Sequence, residues 1–121
     1  MSTHFFAEPG TLVNAATLEL DHEPVPSGQL VEGTPTTAAE ALGEHNGVEL
    51  GIWEMTTGAM SDVEADEIFI VLAGAATVEI EPFDGMPAQT LTPMPGDIVQ
   101  LREGMRTVWT VTETFRKIYL A

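Results

Sequence analysis

An all-β barrel is the fold class this sequence predicts, and three observations predict it. From Val48 onward, short segments rich in β-branched and aromatic residues follow one another, at the spacing of about 8–12 residues typical of sandwiches and barrels. Gly and Pro punctuate the gaps between them, as at Gly74, Asp84-Gly85 and Pro93-Met-Pro-Gly96. Several of the segments alternate apolar and polar residues, the period of a strand with one buried face.

Taken in chain order, residues 1–35 are irregular, broken by Pro9, Pro24, Pro26 and Pro35 and by Gly10, Gly28 and Gly33. Short strands are expected at 16–20 and 29–31. The segment reads as an arm that packs on the barrel or on a partner subunit, with 36–121 forming the barrel and the whole chain one domain. Residues 37–42 carry helix-forming Ala, Glu and Leu and suggest a helical turn. Val48–Met55 alternates as a strand. Residues 67–72, Glu-Ile-Phe-Ile-Val-Leu, are apolar on both faces, which predicts a strand covered on both sides. Gly74 ends it, and 76–81 alternates again. Asp84-Gly85 is a strong hairpin-turn signal. Residues 89–92, 97–101, 105–111 and 115–120 complete the strands. No internal repeat or low-complexity tract interrupts them.

Composition excludes several functions. The 121 residues contain no cysteine, so disulfides, cysteine-based zinc sites and thiol nucleophiles are out; a reducing cytoplasm fits. There is no basic, apolar leader at the N-terminus and no run of roughly 18 apolar residues to span a membrane. Nineteen acidic residues against four basic ones give a net charge of −15. That surface repels nucleic acid and anionic membranes alike. The sequence lacks a D-x-D-x-D-G calcium loop, a phosphate-binding glycine loop and a G-x-S-x-G elbow. Arg102, Arg106, Arg116 and Lys117 are the only cations and all fall in the last twenty positions. They either pair internally and tie the last strands to the barrel, or one or two of them face a pocket and hold an anionic group.

Glu67, six intervening residues and Gly74, with Gly58 nine positions before Glu67, resemble the second half and the opening glycine of the first cupin motif. Gly96 and Gly104 match the glycines of the second motif. The wording Gly51-Ile-Trp-Glu-Met, Asp66-Glu67, Leu72-Ala-Gly74, Pro95-Gly-Asp97, Gly104, Trp109-Thr-Val and Arg116-Lys-Ile-Tyr119 is similar to the branch that holds the ureidoglycine aminohydrolase and ethanolamine-utilisation cupins. The likeness covers roughly residues 30–120. It implies a single cupin barrel of jelly-roll type. In that family three histidines and a glutamate hold a divalent metal, leaving a position open for substrate. Here the first two histidine positions fall on Ser61 and Val63, or on Met60 and Asp62. The proline position of the second motif is Arg102, and its histidine is Thr107. His4, His22 and His45 lie elsewhere. No cofactor is therefore expected; a divalent metal would have Glu67 alone of the four ligands, unless Asp62, Glu64 and Asp66 gathered beside it as oxygen ligands for a hard cation.

The barrel that the resemblance implies retains a cavity without metal. If Glu67 faces inward, strand parity turns Phe69 and Val71 inward too; if Thr107 does, so do Trp109 and Val111. Trp53 shares a face with Gly51 and Met55. Parity in the final strand is ambiguous, and the resemblance favours Lys117 inward. The expected pocket is Trp53, Glu67, Phe69, Thr107, Trp109 and Lys117, an aromatic wall with few polar groups. A carboxylate there is either protonated or paired with Lys117 or Arg106. Glu67 and Lys117 are the best candidates for acid–base chemistry. Three functions follow: a barrel that binds a small organic ligand, an enzyme acting on a ureido or amino compound as the resemblance implies, or a non-catalytic homodimeric module. In the last, Ile68, Ile70 and Leu72, opposite Glu67, bury under the second sheet layer, the arm or a partner. Neither nucleic acid nor membrane is expected as a partner.

Overall fold

The computed structural model describes residues 5, 6 and 8–121. Nine strands make up the regular structure among them: β1 (Glu23–Pro24), β2 (Leu30–Glu32), β3 (Thr36–His45), β4 (Val48–Met55), β5 (Gly58–Val63), β6 (Glu67–Ile80), β7 (Gln89–Leu91), β8 (Ile98–Leu101) and β9 (Arg106–Leu120). All pair antiparallel. The all-β expectation holds.

β9 organises the sheet. Along one edge its first half pairs with β5 and its second half with β4. Along the other edge it runs beside β6 for nearly its whole length. β3 and β1 extend the sheet beyond β4, β2 beyond β5, and β7 and β8 share the far edge of β6. Two half-sheets thus meet at the middles of β6 and β9 and curl toward each other. Their inner faces enclose a core that includes Met55, Met60, Phe69, Val71, Val78, Ile80, Trp109, Val111 and Phe115. Phe115 packs edge-on against both Phe69 and Trp109, with ring centroids 6.4 and 5.5 Å apart, a favoured geometry for aromatic pairs.

The curl needs irregular pairing. Between Val71 and Ala76 the register of β6 against β9 shifts three times, and bulges of this kind bend and twist a sheet. Gly74 sits there at φ +94°, and a Cβ on it would run into the Thr114 carbonyl. Gly74 therefore bends a continuous strand, where the sequence predicted that it ends one. The segments expected at 105–111 and 115–120 likewise fall in one strand, β9, which begins at Arg106.

Three further expectations are corrected. Residues 37–42 are not helical. They lie in β3, which pairs with β4 along almost its entire length, and the many hydrogen bonds of that pairing outweigh the local helix preference of Ala, Glu and Leu. Residues 16–20 are not a strand, because Asn14 Oδ1 accepts from the Ala16 and Thr17 amides and its carbonyl accepts from Leu18, an Asx-type alternative to sheet pairing. The outer face of 67–72 is not fully covered: Ile68 is 42% exposed. β5 was not foreseen. Asp84-Gly85 forms the expected turn, with both residues at positive φ (47° and 80°) and the Phe83 and Met86 backbones exchanging hydrogen bonds, as a type I′ hairpin requires. No helix among the described residues is long and apolar enough to cross a membrane.

Candidate functional site

Cross-strand rows set the site. Ala39, Trp53, Lys117 and Val71 stand side by side on β3, β4, β9 and β6. On the facing half-sheet Met60, Trp109 and Val78 form one row, and Asp62, Thr107 and Ile80 the next. Because directly opposed residues share a face, Trp53 and Lys117 point across the barrel at Trp109. The space between them is a cavity of about 230 Å³ lined by Trp53, Glu67, Trp109 and Lys117, with Asp62, Glu64, Glu49 and Tyr119.

Lys117 points inward, which resolves the ambiguous parity of the final strand. It is 4% exposed, and its Nζ donates to Glu67 Oε2 at 2.5 Å. The same ammonium lies 4.2 Å from the Phe69 ring centroid, 4.8 Å from Trp53 and 4.9 Å from Trp109. Three aromatic faces and one carboxylate therefore compensate a charge taken almost wholly out of water. Phe69 belongs to this cage from behind; it is completely buried and does not line the cavity.

Glu64 is the residue that sequence reasoning underrated. It lies in the connection between β5 and β6, where strand parity gives no guidance. Its backbone is fixed to the 102–105 turn, with its amide donating to the Met105 carbonyl and its carbonyl accepting from Gly104. The side chain is 7% exposed. Oε2 accepts from Thr107 Oγ1 at 2.7 Å and from Trp109 Nε1 at 3.0 Å. Thr107, at the motif's histidine position, is thus no pocket wall but a donor that orients Glu64. The available signal was the run Asp62-Val-Glu64-Ala-Asp66-Glu67, whose acids could be placed only by knowing which way the turn folds.

The cavity is more acidic than expected. Burial pushes the Asp62 carboxyl above its ordinary value, and the neighbouring Glu64 charge adds to this against the pull of the Val63 amide and Lys117. Gln29 Nε2 reaches Asp62 from the barrel's edge at 3.4 Å. Tyr119 donates to Glu49 at 2.7 Å. Burial and that bond raise the phenol well above its usual range. Gly51 makes room for this tyrosine, since a Cβ there would collide with its ring.

Arg116 faces the opposite side of β9. Its Nε donates to Glu54 at 2.8 Å and its Nη1 to the Ala15 carbonyl at 2.9 Å. His22 meets the other Glu54 oxygen at 2.7 Å. Burial alone would raise the Glu54 carboxyl, but the hydrogen bonds from Arg116 and His22 outweigh it and hold the group below its ordinary value. Arg102 and Arg106 are exposed and neither reaches a carboxylate among the described residues. Arg106 is therefore not the partner of Glu67. His45 is exposed beside Asn46, and His4 lies outside the described residues. Asp66 is also exposed and accepts from the Glu103 amide at 3.0 Å, away from the other acids. Ser61, Val63 and Thr107 offer no imidazole, and among the described residues no three His, Cys, Asp or Glu side chains group closely enough to hold one ion. The donor set does not fit the metal centre that the resemblance implies.

Comparison with known proteins adds the family. A model described as the EutQ-like cupin domain matches residues 42–119. Among solved structures, a protein of unknown function from Pseudomonas syringae is 23% identical with a TM-score of 0.66, over 87% of this chain and 45% of its own. The chain thus spans less than half the length of that relative. The EutQ protein of Clostridium difficile is 18% identical with a TM-score of 0.62, covering 91% of this chain and 84% of that one. A putative ethanolamine utilization protein from Salmonella typhimurium is 17% identical with a TM-score of 0.59, over 87% and 96%. These likenesses show the cupin fold. Among curated proteins none matches the chain.

Proposed function

We propose that this chain, which belongs to the EutQ-like cupin family, binds a small organic molecule in its barrel cavity. One observation carries the reading. A cavity of about 230 Å³ opens onto two tryptophans and a buried Lys117–Glu67 pair, and a concave space that joins aromatic walls to convergent polar groups is what small-ligand sites look like. A barrel that served only as a scaffold has no need to leave a desolvated ion pair facing empty space, where closer apolar packing would be at least as stable.

A metabolite library screened by thermal shift and by Trp53/Trp109 fluorescence tests this. A true ligand at a hundredfold excess over its Kd stabilises a domain by about 2.7 kcal/mol, a Tm rise of roughly 10 °C. Trp53→Ala should abolish it. If no compound shifts either signal, the barrel is not a binding site.

Acid–base catalysis on an amino or ureido compound is the second reading. Asp62, inclined to hold its proton, stands in the same cavity as the ionic Glu67–Lys117 pair, and carboxyls in contrasting environments are a common acid–base arrangement. Turnover of ureidoglycine-like substrates that falls at least about a hundredfold in Glu67→Gln would support it. Turnover equal in the variant and the wild type would remove it.

A further inference from the structure

Lys117 shows what the walls of the cavity accept. Its ammonium rests against three aromatic faces and one carboxylate, so this interior already solvates one organic cation. That single cation is committed to Glu67. Four carboxylates line the same cavity, those of Glu49, Asp62, Glu64 and Glu67.

Glu64 stands out among them. It is 7% exposed and has no cationic partner among the described residues. Two neutral donors hold Oε2, while Oε1 takes no hydrogen bond among the described residues and is nevertheless not sealed away from accessible space. The carboxylate is thus fixed by one oxygen in a cavity whose wall also holds the indoles of Trp109 and Trp53, with ring centroids 5.3 Å apart. A buried carboxylate without a counter-ion is unfavourable unless something cationic joins it, and indole faces are the best partners for an ammonium.

We infer that the cavity selects an organic cation, an ammonium of metabolite size, with Glu64 as its counter-ion and Thr107 as the residue that positions Glu64. This rests on the small-ligand reading above and names the ligand's charge. An anion would meet the carboxylates with the Lys117 charge already taken, and a neutral molecule would leave Glu64 uncompensated.

Charge-matched probes give the test: choline against its neutral tert-butyl isostere, and n-butylammonium against butanol and butyrate, each titrated into the whole chain by calorimetry. Each cation should bind at least about tenfold more tightly than its isostere, as one desolvated charge contact provides. Glu64→Gln should equalise the pairs. Thr107→Val should reduce the preference and Thr107→Ser restore it, which a merely structural threonine would not do selectively for the charged probe. Equal binding of cation and isostere to the wild type overturns the inference whether or not any variant folds, as does a preference that survives in a folded Glu64→Gln. Binding of butanol or butyrate without the cations also overturns it, and leaves the small-ligand reading standing. If no probe and no library compound binds, both fall.

Discussion

Asp62 and Glu54 sit on opposite faces of the barrel wall and respond to pH with opposite sign. Asp62 is raised above its ordinary 3.8 by burial and by Glu64, so the fold binds its proton more tightly than the unfolded chain does. Its favourable contribution is fully present below 3.8 and is lost as pH rises through the raised value. Asp62→Asn should therefore increase the Tm at neutral pH and change it little in acid. Glu54 is held below its ordinary 4.5, chiefly by Arg116 and then His22 against the opposing effect of burial. Its stabilisation is present above 4.5 and is lost as pH falls. Arg116→Met should destabilise by about 2 kcal/mol at neutral pH, since it strips a largely buried carboxylate of its cation, and should converge toward wild type in acid. Thermal melts across pH check both, and parallel curves for variant and wild type would refute the assignment. At this scale the sequence was informative wherever parity governs. The resemblance sets Glu67 and Thr107 inward, parity then carries Phe69 and Trp109 with them, and the resemblance again favours Lys117. Glu64 and the role of Thr107 were not legible, because a turn has no parity and a hydrogen bond between residues 43 positions apart leaves no local trace.

Among the elements, β6 and β9 show why strand existence was easier to read than strand extent. Both look like two strands joined by a break, at Gly74 and at the polar run Thr112-Glu113-Thr114, because the apolar pattern is interrupted there. The breaks are the bends that close the barrel. Sheet geometry distributes the turn over three register shifts, and no single-strand pattern records it. β5 escaped notice because Gly58-Ala-Met-Ser-Asp-Val contains one β-branched residue; its strand conformation is imposed by β9 on one edge and β2 on the other. Gly74 tests the bend directly. Alanine there would have to hold φ +94° and push into the Thr114 carbonyl. A loss of about 3 kcal/mol or more follows, a drop in Tm of roughly 10 °C. Gly28→Ala, with nothing within 4 Å and no positive φ, should be close to neutral. A Gly74→Ala variant melting with wild type would mean that β6 can bend elsewhere.

The whole molecule combines a heavy negative charge with one apolar outer face. Of its four cations, Arg116 and Lys117 are buried against Glu54 and Glu67, so only Arg102 and Arg106 stand exposed on a chain with 19 acidic residues. Yet on the outer face Ile68 lies between Gln100 and Leu120, and Ile70 between Ile98 and Ile118. Ile68, Ile98 and Leu120 are exposed, and these six positions include no carboxylate. We propose that two copies pair through this strip, which puts apolar side chains and no carboxylate at the centre of the interface. A stable interface needs about 800 Å² from each partner, more than the strip alone supplies, so its acidic surroundings must come close as well. Apolar burial then favours the dimer while the charge of the rims opposes it. Salt screens the second effect and leaves the first intact, as the Debye length falls from about 30 Å at 0.01 M to about 8 Å at 0.15 M. Dimerisation should accordingly tighten at least about tenfold over that range, the reverse of an interface held by ion pairs. Ile68→Asp, which sets a carboxylate into the strip of both copies, should leave monomers at every salt concentration. Sedimentation velocity at micromolar protein reads both effects. A wild-type chain that stays monomeric throughout, or a dimer that weakens with added salt, would show that this face is not where copies meet.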